Sequence, residues 1–541
     1  MRIPLTLRAL LFSFALSCLV LLPSWKSANH IIGHPNLDMW SHAWGMDWFG
    51  HTMLSFQFPW WVEGVAWPSH RVLWYIDPIG AIVTLPLQLF LNPIWTYNLL
   101  FIIQLTVLGY SAWLFARTIG GKGWLAATVL CTAPYLQGEI WNGVTEACWL
   151  AVIPLCGYLA QKRTWWCGIT LGFSIMATPY HGIGAALLVT TVALTHPEES
   201  WKKNALWLSK TAGLSLLFAL PHILLLAYSI QSPDSFVSRS FFGGFNPAVL
   251  LSNAVDPLAL VHPGDYWSQT NNDNRFSVPW RKTPYLGLCA LSLSLLLVFR
   301  HRGTLKFFVP ASIGVVACLG IYLWHDGQWV QSSNGSYYKL PLAYLVENSP
   351  LSLDHPLRFV GVSLCCLAIM ADRFVGKWGI FLCGFVAYEH LVLAPNSWPL
   401  PSTDAQLPAV YDQIPDDGRA ILDLPADAGV GNSTNRYLLW QRLHGHPVPW
   451  SNKVSAMGVP SQNPAVIKWG ALTKESGGYI EGLDKNQRIS ASTLTKERYG
   501  YIILHTEFLK NSNEEQKFAE ITQLFGPPKK VGSARLWVVP E

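Results

Sequence analysis

Eleven runs of apolar residues, most of them separated by short polar segments, constrain the fold of this chain more than any other feature. They lie near residues 7–24, 96–116, 123–136, 142–160, 165–178, 182–196, 209–230, 284–300, 305–324, 356–373 and 378–395. A membrane-spanning helix needs about 20 apolar residues, and soluble proteins are charged at roughly a quarter of their positions. Only 13% of these 541 residues are charged. The sequence therefore predicts an α-helical, multi-pass membrane protein with about eleven transmembrane helices.

Basic residues in the short loops predict the orientation of these helices. Lys and Arg concentrate in five loops, whose sequences are "RTIGGKG", "QKR", "HPEESWKKN", "RHRGTLK" and "ADRFVGK". Cytoplasmic loops carry an excess of Lys and Arg, and eleven spans with a cytoplasmic N-terminus put all five loops on that side. Counting residues 78–92 as a twelfth span would put them outside, so we interpret that segment as an outer-surface or re-entrant helix. The run after Arg2 and Arg8 is interpreted as an uncleaved first span.

The last 146 residues have a different pattern, with more charge and no long apolar run. The sequences "GRAILDLP", "YGYIILH" and "SARLWVVP" predict strands, and "NRYLLWQRLHG" and "NEEQKFAEITQLFG" predict helices that end near a glycine. We therefore predict two domains. Residues 1–395 form the transmembrane domain with a first outer loop at 25–95, and residues 396–541 form an α/β domain on the outer face. All ten cysteines lie in apolar runs, which predicts buried thiols and no disulfides.

The first outer loop contains "HPNLDMWSHAWGMDWFGH", residues 34–51, which is rich in Asp, His and Trp. A helix beginning at Asp38 would put Asp38 and His42 on one face and Asp47 on the other. The tryptophans at every fourth position suit a helix lying in the lipid headgroup zone; they are Trp40, Trp44 and Trp48. Asp38 is either a helix N-cap or a general base that faces a site at the membrane surface.

Further polar residues lie where the topology puts the outer ends of the spans. Glu139 and Asn142 are expected in an outer turn, and Glu146 about one turn into the next span. A carboxylate within a span is costly, so Glu146 is either functional or held by a structural hydrogen bond. His181 follows Pro179 in another expected turn. Arg358 stands at the mouth of a span, where it could bind a phosphate or extend to the membrane surface.

Several classes of function have no support in the sequence. No nucleotide-binding or hydrolase motif appears, and no basic aromatic groove suggests nucleic acid as a partner. Asp38 and His42 could hold a divalent metal, although two ligands are weak evidence for such a site. We assign no cofactor from these patterns.

In the order of its features the chain resembles the GT-C superfamily of membrane glycosyltransferases, particularly a large bacterial group. The resembling segments are "LDMWSHAWGMDWFGH", "LNPIWTYNLLF", "TAPYLQGEIWNGVTEACWLAVIPL", "LDHPLRFVG" and the tail with "AILDLP". The resemblance implies transfer of a sugar from a polyprenyl-phosphate donor to an envelope glycan, lipid or protein acceptor. It also implies a multi-pass protein of the bacterial inner membrane, with its lipid-linked donor and its C-terminal domain on the extracytoplasmic side.

The resemblance also assigns roles to particular residues. Asp38 matches the acidic residue of the first outer loop that serves as catalytic base, and Arg358 is a candidate for the lipid phosphate. His42, Glu139, Asn142, Glu146 and His181 would border the substrate. Asp38 lacks an adjacent second acid, and the tail lacks the WWDYG-type signature of oligosaccharyltransferases. We therefore do not expect an N-glycosylating enzyme.

Two other functions remain open at the level of sequence. A transporter would need charged residues near the middle of the bilayer and usually repeated halves, and neither is evident. A non-catalytic envelope assembly protein would have the same architecture with an inert Asp38.

Overall fold

The structure is a computed structural model of the 541-residue chain. It describes residues 4–35, 37–68, 72–73, 77–196, 200–231, 254–262, 284–300, 304–325, 328–347, 353, 355–375, 378–394, 396, 398–425, 435–450, 463–470, 472, 489–509 and 515–541. Parts of three of the five basic loops lie outside these ranges.

Each of the eleven apolar runs contains a helix. The helices of this part of the chain, including those that lie between the apolar runs, are in chain order α1 (Leu5–Leu21), α2 (Met39–Leu54), α3 (Pro78–Gln88), α4 (Pro93–Thr118), α5 (Trp124–Cys131), α6 (Pro134–Asn142), α7 (Val152–Gln161), α8 (Trp166–Ala177), α9 (Pro179–Leu194), α10 (Trp201–Gln231), α11 (Leu288–Arg300), α12 (Leu305–Cys318), α13 (Pro341–Glu347), α14 (Val360–Val375) and α15 (Gly379–Tyr388). Two of the apolar runs also contain a 3₁₀ helix, which is Glu146–Ala151 directly before α7 and Pro356–Phe359 directly before α14.

Among the described residues, three helices are long and apolar enough to cross a membrane by themselves. They are Leu5–Ser24, Pro93–Thr118 and Trp201–Tyr228, and several shorter apolar helices pack around them. These helices make the chain a membrane protein. The number of spans and the position of α3 in or on the membrane stay predictions.

The helical core is tightly packed where α1, α4 and α5 meet. A Cβ added to Gly109 would lie 2.6 Å from the Cys131 Sγ and 2.8 Å from the Ser13 Oγ, so only glycine allows this approach. The start of α5 is held by Asp372 of α14, whose carboxylate accepts hydrogen bonds from the backbone N–H groups of Gly123 (2.7 Å) and Leu125 (2.9 Å). This buried acid therefore satisfies the free N–H groups at the start of α5.

The first outer loop is attached to the C-terminal part of the chain by strand pairing. Strand β1 (His30–Ile32) pairs antiparallel with β6 (Ser402–Asp404). Two short hairpins also lie in loops, one formed by β2 (Trp61–Val62) with β3 (Val72–Leu73) and one by β4 (Trp324–His325) with β5 (Gln328–Trp329).

The C-terminal residues form a four-stranded sheet in the order β7-β8-β10-β9. The strands are β7 (Ala420–Leu424), β8 (Tyr499–His505), β9 (Lys529–Val531) and β10 (Ala534–Val538), with β7 and β8 parallel and the other pairs antiparallel. The helices are α16 (Asn435–His444), α17 (Pro464–Gly470), α18 (Ala491–Thr495) and α19 (Ala519–Phe525). The predicted strands and helices of this region are thus confirmed, with a 3₁₀ turn at Gln516–Phe518 opening the last helix.

The hydrophobic core beneath this sheet includes residues of the first outer loop. Trp44, Val62 and Val65 are fully buried in the same cluster as β7 and β8. The prediction that the tryptophan stripe of α2 lies in the lipid headgroup zone is therefore wrong, because Trp40 and Trp44 are fully buried inside the protein. The boundary between the two predicted domains, at residues 395–396, stays a prediction.

Candidate functional site

The candidate site begins where the start of α2 contacts the end of α6. The backbone N–H of Asp38 donates to the Asn142 carbonyl oxygen at 3.1 Å. Gly143, at φ +82°, ends α6, and a Cβ there would lie 2.4 Å from the Cα of Met39. Glycine at this position lets the first outer loop lie directly against the helical core.

Arg358 lies at the centre of the site and faces two carboxylates. Its Nε is 3.3 Å from the Glu139 Oε1, and its Nη1 is 3.5 Å from the Glu146 Oε1. The Arg358 and Glu139 side chains are only 10% and 6% exposed, whereas Glu146 is 25% exposed. Arg358 is thus buried and ion-paired, which rules out the predicted alternative of a side chain extended to the membrane surface. Burial raises the pKa of the Glu139 carboxyl, although the Arg358 charge opposes this effect.

His42 connects the first outer loop to this pair of acids. Its Nδ1 lies 3.5 Å from the Glu146 Oε2 and 3.1 Å from the Thr145 hydroxyl. Four of the predicted site residues, His42, Glu139, Glu146 and Arg358, are therefore joined in one polar network.

His181 is completely buried beside this network. Its Nε2 lies 2.8 Å from the carbonyl oxygen of Ala147, and its ring is within electrostatic range of Arg358 and Glu146. The sequence placed His181 in a turn, but it lies in the first turn of α9. Glu139 and Asn142 were likewise expected in a turn and lie instead on α6. Prolines at both helix starts, Pro134 and Pro179, are compatible with helix because the first N–H of a helix has no intrahelical partner.

Asp38 occupies the N-cap position of α2 but makes no side-chain capping hydrogen bond, so the capping interpretation is wrong. Its carboxylate and that of Glu146 both lie within electrostatic range of the Tyr97 phenol. Asp38 therefore borders the network. Its role as a base stays a prediction.

The opposite face of α2 contacts α16. The Arg442 Nε donates to the Asp47 Oδ2 at 2.7 Å, and the Trp44 indole N–H donates to the Gln441 Oε1 at 3.3 Å. Asp47 faces away from the site, as predicted, but it is buried in this contact and is not an inert surface residue.

Sequence reasoning missed Asp77 as a member of the network. This residue caps α3, with its Oδ1 accepting from the Gly80 N–H at 2.8 Å and its Oδ2 from the Trp149 indole N–H at 3.0 Å. Burial raises the pKa of Asp77 to about 6, and repulsion from Glu146 contributes to this shift. An Asp before Pro at the start of an apolar helix was the available signal.

The described residues contain no group of three or more His, Cys, Asp or Glu side chains arranged to hold a metal ion. What this site can do is exchange protons and bind polar groups. It combines the ion-paired acids Glu139 and Glu146, the capping acid Asp77, a guanidinium and two imidazoles, with Asp38 at its border.

Comparison with solved structures gives an alignment over nearly the whole chain. The cryo-EM structure of the arabinofuranosyltransferase AftD from Mycobacteria aligns with 99% of this chain at a TM-score of 0.53 and 14% sequence identity. The chain has a GT-C-like fold. It covers 40% of the AftD chain, so it spans about two fifths of that protein.

Two structures of the oligosaccharyltransferase from Archaeoglobus fulgidus also align, with 97% and 96% of this chain and 70% and 71% of theirs. Their TM-scores are 0.49 and 0.47, each at 12% identity. No family model matches the sequence, and no curated protein matches it.

Proposed function

We propose that this protein transfers a sugar from a polyprenyl-phosphate donor to a glycan, lipid or protein acceptor on the outer face of a bacterial inner membrane. The GT-C-like fold supports glycosyl transfer as the class of reaction. The positive-inside pattern of the loops supports the outer face, with the C-terminal sheet on the extracytoplasmic side. A donor carried by a lipid also agrees with the lack of any nucleotide-binding motif in the sequence.

One observation carries this proposal. His42 of the first outer loop, Glu146 of the helical core and Arg358 of a third segment meet in one polar network, in a chain of which only 13% of the residues are charged. Burying charged side chains costs free energy, and ionisable residues that face the interior of a helix bundle are candidates for a functional site. The partial exposure of Glu146 leaves the network open on one side.

In the proposed reaction, Asp38 acts as general base. An acceptor hydroxyl oxygen attacks the anomeric carbon of the donor sugar and forms the new glycosidic bond. The bond between that carbon and the phosphate oxygen breaks, and polyprenyl phosphate leaves with the electron pair. Asp38 takes the proton of the hydroxyl, and it needs to lie within hydrogen-bond distance of that hydroxyl to do so.

The test is sugar transfer by purified full-length protein with Asp38→Asn. Because Asp38 makes no capping bond, the substitution should leave α2 intact. We expect product formation to fall by roughly 10²–10⁴-fold, the usual effect of removing a positioned base. Asp412→Asn is the matched control, since Asp412 is exposed in the C-terminal region. Full activity of Asp38→Asn would contradict the base assignment, and absence of transfer by the wild type would favour an assembly role.

The buried acids elsewhere in the described helices do not favour transport. Asp372 accepts hydrogen bonds from the start of α5, and Glu389 accepts from the start of α11 and from the Tyr285 hydroxyl. Acids fixed in this way by helix N-termini stabilise the fold and offer no relay for a transported ion.

A further inference from the structure

Four polar side-chain atoms around Arg358 are buried without a hydrogen-bond partner in the described part of the chain. They are the Tyr135 hydroxyl, the Asn142 Oδ1, the His181 Nδ1 and the Glu146 Oε2, which is ion-paired with the His42 Nδ1 at 3.5 Å but accepts no hydrogen bond. Tyr135 and His181 are 0% exposed and Asn142 is 6% exposed. The Tyr135 ring lies within electrostatic range of Glu139, Glu146 and Arg358, and the His181 ring within range of Glu146 and Arg358. Asn142 follows Tyr135 by seven residues on α6 and therefore lies on the same face of that helix. A buried polar group without a partner costs about 1–3 kcal/mol, and such groups call for an explanation.

Most of these atoms accept hydrogen bonds. The His181 Nε2 contacts the Ala147 carbonyl oxygen, which can only accept, so the proton is on Nε2 and Nδ1 is left as an acceptor. The Asn142 and Glu146 oxygens are acceptors as well, and only the Tyr135 hydroxyl can also donate.

Phosphate is a poor match for this arrangement. Phosphate oxygens are acceptors, and here they would meet the Asn142 Oδ1, the His181 Nδ1 and the carboxylates of Glu139 and Glu146. Arg358 is the cation that could attract them, and both of those carboxylates already face it. Sugar hydroxyls fit better, because each can donate to an acceptor and also accept from the Tyr135 hydroxyl.

We propose that these four side chains form a subsite for the hydroxyl groups of a sugar ring, with Tyr135 as a specificity-determining residue. The lipid phosphate is bound elsewhere and not by Arg358, whose role is to hold Glu139 and Glu146 in position. This inference rests on the proposed function and names the part of the substrate that the site recognises. The sugar is either that of the donor or the terminal sugar of the acceptor, because both present the same hydroxyl chemistry.

Tyr135→Phe and Tyr97→Phe make a matched pair of variants. Both tyrosines are fully buried, but the Tyr97 hydroxyl donates to the Gly143 carbonyl oxygen at 3.2 Å, whereas the Tyr135 hydroxyl has no hydrogen-bond partner among the residues that the structure describes. Removing an unpartnered hydroxyl should leave the thermal midpoint unchanged or raise it, while removing the Tyr97 hydroxyl should lower it. If the Tyr135 hydroxyl had only a structural role, Tyr135→Phe would not keep its thermal midpoint while losing its function.

The binding experiment uses full-length protein in nanodiscs with three kinds of probe. These are bare decaprenyl phosphate, its pentose and hexose phosphodiesters, and free oligosaccharides that represent the acceptor. We expect a sugar-bearing probe to bind the wild type at least ~10-fold more tightly than bare decaprenyl phosphate. This gain in affinity should disappear in Tyr135→Phe but not in Tyr97→Phe. Loss confined to the phosphodiesters assigns the subsite to the donor sugar, and loss confined to the oligosaccharides assigns it to the acceptor.

Glu139→Gln tests the exclusion of phosphate, because it leaves Arg358 facing a single carboxylate. Unchanged binding of bare decaprenyl phosphate is expected, and binding that tightens ~10-fold would show Arg358 to be a phosphate ligand and overturn the inference. Retention of the full sugar gain in Tyr135→Phe would also overturn it, as would the lack of any sugar gain in the wild type. Failure of the proposed function would give a different result. The wild type would then transfer no sugar from any carrier, and it would bind only oligosaccharides or none of the probes.

Discussion

The ion pair between Asp47 and Arg442 should fix α2 against α16, and its loss can be estimated from the geometry. The two side chains are 6% and 19% exposed, with a separation of 2.7 Å between Oδ2 and Nε. Removing one partner of a fully buried pair costs about 3–5 kcal/mol, whereas a fully exposed pair contributes about 0–1 kcal/mol. Because Arg442 is partly exposed, we expect Arg442→Gln to weaken this contact by roughly 2–3 kcal/mol.

Hydrogen exchange of the amides in Met39–Leu54 and Asn435–His444 measures this effect. A loss of 2–3 kcal/mol corresponds to exchange that is roughly 30- to 150-fold faster. Asp47→Asn should cost less, because the remaining Arg442 stays partly exposed and lies over the Trp48 ring at 5.5 Å. The double variant should cost less than the sum of the single ones. Exchange that is no faster in Arg442→Gln, or strictly additive costs, would refute this reasoning.

The packing of α2 against α16 should also weaken at both low and high pH. Burial acts to raise the pKa of Asp47, but the hydrogen bonds and charges of His51 and Arg442 lower it overall, so this stabilisation is present above the usual value of 3.8 and is lost as pH falls through the lowered pKa. A hydrogen bond to Asp47 raises the pKa of His51, so its contribution is complete below 6.5 and is lost as pH rises through the raised pKa. Protection of α2 should therefore be greatest between about pH 4 and 6.5.

Three further predictions concern other parts of the molecule. Gly143→Ala should prevent correct folding, because the added Cβ would overlap α2, and the monodisperse peak in size-exclusion chromatography should disappear. The control is Gly120→Ala, at φ +89° with no atom within 4 Å, which should fold with only backbone strain of about 1–2 kcal/mol. Asp372→Ala should lower stability by about 1–2 kcal/mol through the lost cap of α5, measured in thermal melts with a thiol-reactive dye that labels the buried cysteines. Burial acts to lower the pKa of His505, but the hydrogen bond to Asp423 and the nearby charge of Glu507 raise it, so the stability of the C-terminal sheet should decrease above pH 6.5 in tryptophan-fluorescence melts. Asp423→Asn should reduce that pH dependence, and an unchanged profile would contradict this prediction.

Local patterns in the sequence were sufficient to predict most helices and strands. The strands β7 and β8 are mainly apolar segments, with Asp423 inside β7 and His505 at the end of β8, because they are parallel to each other and buried on both faces. Such segments are visible in a single sequence. Reasoning about the sides of the membrane also grouped His42, Glu146 and Arg358 correctly, although they are far apart in the chain.

Contacts between distant segments explain what the sequence did not show. The tryptophan stripe of α2 has the spacing of an interfacial helix, but the Arg436 guanidinium covers the Trp40 ring at 4.8 Å and Gln441 contacts Trp44. Burial of these rings therefore depends on residues almost 400 positions later. Tyr135 was missed for a related reason, since its lack of a hydrogen-bond partner is a property of the packed structure and has no counterpart in residue type or spacing.

The pairing of α2 with α16 also has a consequence for biosynthesis. Asp47 and Arg442 are separated by 395 residues. At a synthesis rate of about 5–20 residues per second, α2 waits roughly 20–80 s for its partner to be made. During that time Trp44 and Asp47 lack the partners that bury them in the finished protein. The first outer loop is thus among the earliest parts of the chain to be synthesised and among the last to reach its final structure, because α2 is buried only after α16 has been translated.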